Sequence, residues 1–204
     1  MIVPLLGGAG VLWRGPQRHQ TPGQRSRQEA FFQEPTLAAA RREVIGAARA
    51  LAVAARHAEV PIFLITTEHS RDRSTWTLSM LDDDQGYLFP GEPGTAVVQE
   101  LDAEGMTRIE KTRDSAWFGT DLLLRLRNLG VGRVVMAGVS THACIAQTAR
   151  DAYANNVRAM IVTDAVADER QDHKEMVLEQ LVRDRQAELA TVEEAIGRWA
   201  PTPS

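Results

Sequence analysis

The hydrophobic pattern changes period several times along the chain, and each change marks an element. From Leu37 to His57 the segment LAAARREVIGAARALAVAARH is alanine-rich with apolar positions at helical spacing, and Pro35 stands just before it. Alanine is the best helix former and proline is accepted in a first helical turn, so a long helix is predicted. Val60-Pro61-Ile62-Phe63-Leu64-Ile65-Thr66 is an unbroken apolar run of strand length. A shorter strand is predicted over residues 106–110, a helix from Asp121 to Asn128 ending near Gly130, and a strand over Val134-Val135-Met136-Ala137 running into Gly138. A helix follows from Ala143 to Asn155, then a strand over residues 157–163 and a helix from Asp172 to Arg185. Leu189 to Val192 reads as a last short strand before a helix that reaches Trp199.

Apolar strands separated by helical segments imply a parallel sheet covered on both faces, an α/β fold in three layers, α/β/α. Sites in such folds gather at the carboxyl ends of the strands. Lys111 and Cys144 each fall just after a predicted strand, which makes them the first candidates. The opening of the chain has a different pattern. After Gly7-Gly8-Ala9-Gly10 comes WRGPQRHQTPGQRSRQEAFFQEP, rich in Arg, Gln, Pro and Gly. Residues 1–35 are therefore set apart as an atypical segment, partly disordered by composition, from a domain over residues 36–200.

The bulk numbers narrow the function classes. A chain of 204 residues with 44% hydrophobic content suffices for one sizeable core. No stretch is long and apolar enough to span a membrane, and the apolar start Met1 to Leu6 lacks the basic leader of a signal peptide. A net charge of -4 gives no reason to expect nucleic acid. One cysteine excludes an internal disulfide and a cysteine-based structural zinc site. The expected location is the cytoplasm. Lys111 and Lys174 are the only lysines among 23 basic residues. Codon bias toward arginine accounts for the count, but a lysine kept in an apolar setting is a candidate for chemistry, since ammonium and guanidinium are not interchangeable.

Cys144 lies at a predicted strand-to-helix turn. Amides there are unpaired and carry partial positive charge, which favours a thiolate and can hold an oxyanion. A lone cysteine is also a small apolar core residue, and position alone leaves both readings open. The surrounding motif resembles a known family. GVSTHACIAQTARDAYANNVRAMIVTDAVAD, with Glu110-Lys111-Thr112-Arg113-Asp114-Ser115-Ala116-Trp117-Phe118-Gly119-Thr120 upstream, is similar to the signature segments of the isochorismatase-like cysteine hydrolases. The similarity extends from about Leu37 to Val192.

This resemblance implies a hydrolase in which Cys144 is the nucleophile and Lys111 the cation that supports it. It implies a cis peptide at Val139–Ser140, with the Ser140 and Cys144 amides as the oxyanion hole. It also implies a small-molecule substrate, no organic cofactor, and a homodimer or homotetramer. Trp117, Phe118, Trp76 and His142 are candidates to line the substrate pocket. Isochorismate-type relatives add vinyl-ether cleavage to amide hydrolysis as an expected activity. Glu68, His69 and Asp72 follow the second strand where nicotinamidases bind a metal, but the spacing is broken and no metal site is assigned. One departure stands out. The family places an aspartate at the end of its first strand, and this chain has no Asp before Asp72. Ala9 to Trp13 lies about where that strand is expected and carries no acid, and the early carboxylates Glu29 and Glu34 come too late for its tip. A catalytically impaired member acting as a binding protein is the competing expectation.

Overall fold

A computed structural model describes residues 2–6, 35–92, 95 and 97–199. Most of the atypical segment, including Ala9–Trp13, Glu29 and Glu34, lies outside the described residues. Six parallel strands form one sheet: β1 (Ile2–Leu6), β2 (Phe63–Thr67), β3 (Thr107–Lys111), β4 (Arg133–Val139), β5 (Arg158–Ala167) and β6 (Glu188–Ala190). Their order is β3-β2-β1-β4-β5-β6. The chain winds outward one way from β1 and then the other way from β4, so the order reverses between these two central strands. The carboxyl ends of strands at such a reversal are where folds of this kind bind ligands.

The first strand corrects the sequence expectation. A strand at Ile2–Leu6 sits at the centre of the sheet, while Ala9–Trp13, where the sequence placed it, lies outside the described residues. Its pattern is hard to recognise because Pro4 lacks the amide hydrogen a central strand normally uses. The register accommodates it: pairing with β4 runs from Ile2 to Leu6, while pairing with β2 is confined to Leu5 and Leu6, beyond the proline.

The helices are α1 (Pro35–His57), α2 (Leu78–Asp82), α3 (Leu122–Asn128), α4 (Ala146–Ala154), α5 (Gln171–Arg183) and α6 (Val192–Gly197). The strands alternate their side chains between two faces, as period two demands. Phe63, Ile65, Val134 and Met136 pack with Leu122 and Leu126 of α3, Ala149 of α4, and Val177 and Leu181 of α5. Leu64, Val135, Ala137, Met160 and Val162 pack on the other side with Ala48, Leu51 and Ala55 of α1 and Ala195 of α6. The three-layer α/β/α reading therefore holds. Among the described residues no helix is long and apolar enough to cross a membrane.

Strand β5 is longer than its sequence suggests because it contains an irregularity. Met136 pairs with Ile161, but Gly138 pairs with Val166, so β5 carries extra residues opposite Ala137. Lys174 of α5 supports this bulge, donating from Nζ to the Val166 carbonyl at 2.7 Å and the Thr163 carbonyl at 3.1 Å. Burial pushes the Lys174 ammonium below its ordinary pKa, against the pull of Glu43, Asp168 and Asp164. A methionine here would fit the stem and leave both carbonyls unserved. Lys174→Met should therefore lower stability by about 1–3 kcal/mol in urea denaturation; an unchanged midpoint would mean that water takes over both carbonyls.

Candidate active site

Cys144 is presented by β4. The chain leaves β4 at Val139, passes Ser140, and makes one wide π-type turn at Thr141–Ile145 that continues directly into α4. The Val139–Ser140 peptide bond is cis. Within the turn, Ile145 N–H donates to the Ser140 carbonyl at 3.2 Å. The Cys144 amide thus precedes that bond, in the first turn of a helix, where amides lack an intrahelical acceptor and carry partial positive charge. The thiol is fully buried.

Lys111 ends β3 and is itself only 2% exposed. Its Nζ donates to Cys144 Sγ at 3.2 Å and to the Arg113 carbonyl at 2.8 Å. A buried ammonium is costly unless paired, and a cation at this distance favours the thiolate over the thiol. These surroundings are not those of a solvated strand-end lysine.

The loop after Lys111 is fastened to the same helix that follows the cysteine. Thr148 of α4 accepts Trp117 Nε1–H on its carbonyl at 2.9 Å and the Ala116 amide on its hydroxyl at 3.1 Å. Arg113 reaches the other way, donating to the carbonyls of Thr75 at 2.9 Å and Trp76 at 3.3 Å. Held between α4 and the loop after β2, this segment brings up a residue that the sequence reading did not single out. Asp114 Oδ1 lies 3.9 Å from Cys144 Sγ. The available signal was its place in the same short loop as Lys111, three residues on.

His142 is fixed by a second carboxylate. Asp168, just past β5, accepts the His142 backbone N–H at 2.7 Å, His142 Nδ1–H at 2.8 Å and the Arg170 N–H at 3.2 Å. The Asp168 hydrogen bond raises His142 above its ordinary pKa, with burial opposing and Asp114 and Glu169 adding to the rise. Burial alone would raise Asp168, but the hydrogen bonds from His142 and Arg170 outweigh it and hold the carboxyl below its ordinary range. The pair therefore leans further toward imidazolium and carboxylate than either group would alone. Asp168 thus orients a histidine two residues from the thiol.

The remaining candidates are placed less centrally. Trp117 belongs to the core beneath the site, with its ring packed among apolar residues and its N–H already used. Phe118 is 64% exposed. Trp76 donates from Nε1 to the Ser70 carbonyl and lies beside Phe89, with Arg73 stacked 4.9 Å above its ring. Of the residues after β2, Glu68 is paired with Arg108, Asp72 is taken by Ser74, and His69 Nδ1 donates to the Thr75 carbonyl. These three are turned to separate partners.

The fold and this arrangement define a hydrolase-like α/β domain, and comparison assigns its family. A family model for the isochorismatase domain matches residues 26–194, so the chain belongs to the isochorismatase family, a family of hydrolases. The phenazine biosynthesis protein PhzD of Pseudomonas fluorescens is 29% identical over 153 residues, covering 74% of this chain and 73% of PhzD. PhzD1 of Pseudomonas aeruginosa is 39% identical over 71 residues, and that match spans only 34% of its length and 35% of this chain. A protein of Arabidopsis thaliana described as a probable inactive nicotinamidase is 33% identical over 120 residues, 55% of this chain and 61% of its own. The crystal structure of N-carbamoylsarcosine amidase from Thermoplasma acidophilum superimposes with a TM-score of 0.71 at 24% identity, covering 95% of this chain and 96% of the amidase, a likeness of fold.

Proposed function

We propose that this protein hydrolyses a small amide or related C–N bond with Cys144 as the nucleophile. The observation that carries the reading is the buried contact of 3.2 Å between Lys111 Nζ and Cys144 Sγ at the head of a helix. Sulfur attacks the carbonyl carbon, the Ser140 and Cys144 amides receive the developing oxyanion, and the C–N bond breaks to leave a thioester. Water then attacks the thioester and regenerates the thiol. These steps call on no organic cofactor. The substrate is a small molecule whose identity the fold leaves open.

The test is thiol reactivity combined with turnover. Cys144 should react with iodoacetamide at pH 7 faster than a free model thiol, and Cys144→Ala should abolish hydrolysis. A thiol no more reactive than the model compound, or hydrolysis untouched by the substitution, would sink the proposal.

A second reading is a binding protein with little activity. It is favoured by β1, which carries no carboxylate and ends at Leu6, level with Val139, where the family's aspartate is expected. The Arabidopsis relative described as probably inactive adds support. The two readings divide on whether another carboxylate does the work of the missing one.

A further inference from the structure

We infer that Asp114 is the proton-transfer residue of this site, standing in for an acid on the first strand. The inference rests on the reading of Cys144 as nucleophile. Three observations carry it. Asp114 Oδ1 is 3.9 Å from Cys144 Sγ, within reach of a thiol proton. Lys111 Nζ is already committed to Sγ and to the Arg113 carbonyl, so it supplies charge at the sulfur. His142, two residues from the cysteine, has its Nδ1 engaged with the Asp168 carboxylate and not with the sulfur.

The cycle closes with this one carboxylate. Cys144 S–H passes its proton to Asp114, and the thiolate forms the S–C bond to the amide carbonyl. As the C–N bond breaks, the departing nitrogen takes the proton from Asp114 and leaves as the amine. Water then attacks the thioester and gives a proton to Asp114. The S–C bond breaks, the carboxylic acid is released, and the proton returns to sulfur. The net change is amide plus water to acid plus amine, with Asp114 and Lys111 restored.

The roles of charge and proton transfer separate experimentally with p-nitrophenyl acetate. Its leaving group departs as a stable anion and needs no proton, whereas the water that clears the acetyl enzyme needs a base. In Asp114→Asn the p-nitrophenol burst should persist, slowed far less than turnover, because beside Lys111 the thiol can still lose its proton to solvent before it attacks. Steady-state turnover should fall about 10²–10⁴-fold, with acetylated Cys144 accumulating in the mass spectrum. Asp114→Glu should recover part of the turnover and serves as the second variant if the asparagine protein folds poorly. Asn turning over like the wild type overturns the inference, as does loss of burst and turnover in step, which would mark Asp114 as a shaping residue only. A wild type without a burst, or with one that survives Cys144→Ala, would instead defeat the underlying reading of the nucleophile.

Discussion

Lys111→Met should leave the protein folded while slowing alkylation of Cys144 at neutral pH by about 10–100-fold. The reasoning begins with burial. Lys111 is one of the largest fully buried side chains, and its ammonium is matched by the Cys144 sulfur and the Arg113 carbonyl. Methionine has nearly the same length and brings no charge to desolvate, and replacing a buried ion by an apolar side chain of similar volume is often neutral or stabilising. The fold therefore has no strong claim on the lysine, but the chemistry does. Without the cation the thiolate fraction falls by roughly one to three orders of magnitude, partly offset because a more basic sulfur is a better nucleophile. Iodoacetamide kinetics and a thermal melt on the same sample separate the two effects. A variant that melts far below the wild type would make Lys111 a structural residue, and one that alkylates at the wild-type rate would remove it from the mechanism.

The second large effect is expected at Asp168. Its side chain is 0% exposed and collects hydrogen bonds from His142 and Arg170. Asp168→Ala removes the acceptor for all of them and should cost about 2–4 kcal/mol. The cost should depend on pH in a set direction. His142 is raised above 6.5 in the folded protein, so its contribution is complete below 6.5 and is lost as pH rises through the folded value. Asp168 is lowered below 3.8, so its contribution is complete above 3.8 and is lost as pH falls through the folded value. Wild type and variant should thus differ most between pH 3.8 and 6.5, and the gap should narrow on both sides. Urea midpoints measured across that range give the comparison. A gap that stays constant with pH would mean that packing, not the ion pair, is what Asp168 supplies.

Much of the fold was legible because local pattern and global structure agree. The alanine-rich stretch after Pro35 forms α1, and the apolar runs at Phe63 and Val134 form β2 and β4, each in register with its neighbours. What escaped was governed by distance or irregularity. Pro4 disguised β1, and the bulge beyond Ile161 disguised the second half of β5. In the site, Cys144 and Lys111 were legible because each follows a strand and each sits in a recognisable motif. Asp114 and Asp168 were not, since a carboxylate in a loop reads as a solvated charge until the chain folds it against its partner. Trp117 shows the converse: its motif position suggested substrate, and the Thr148 carbonyl claimed its N–H for the core.

The strand order has a consequence for how the protein is made. β2 and β3 lie on one side of β1, and β4, β5 and β6 on the other, so β1 is the seam that joins two half-sheets. During synthesis the seam emerges from the ribosome before either half exists, and Ile2 must wait for Val135 to find its partner. Each half therefore displays an open central edge until late in translation, and parallel pairing over such separations is slow and exposed to aggregation. Low temperature and a slow rate of expression should favour closure of the seam over edge-to-edge association between unfinished chains.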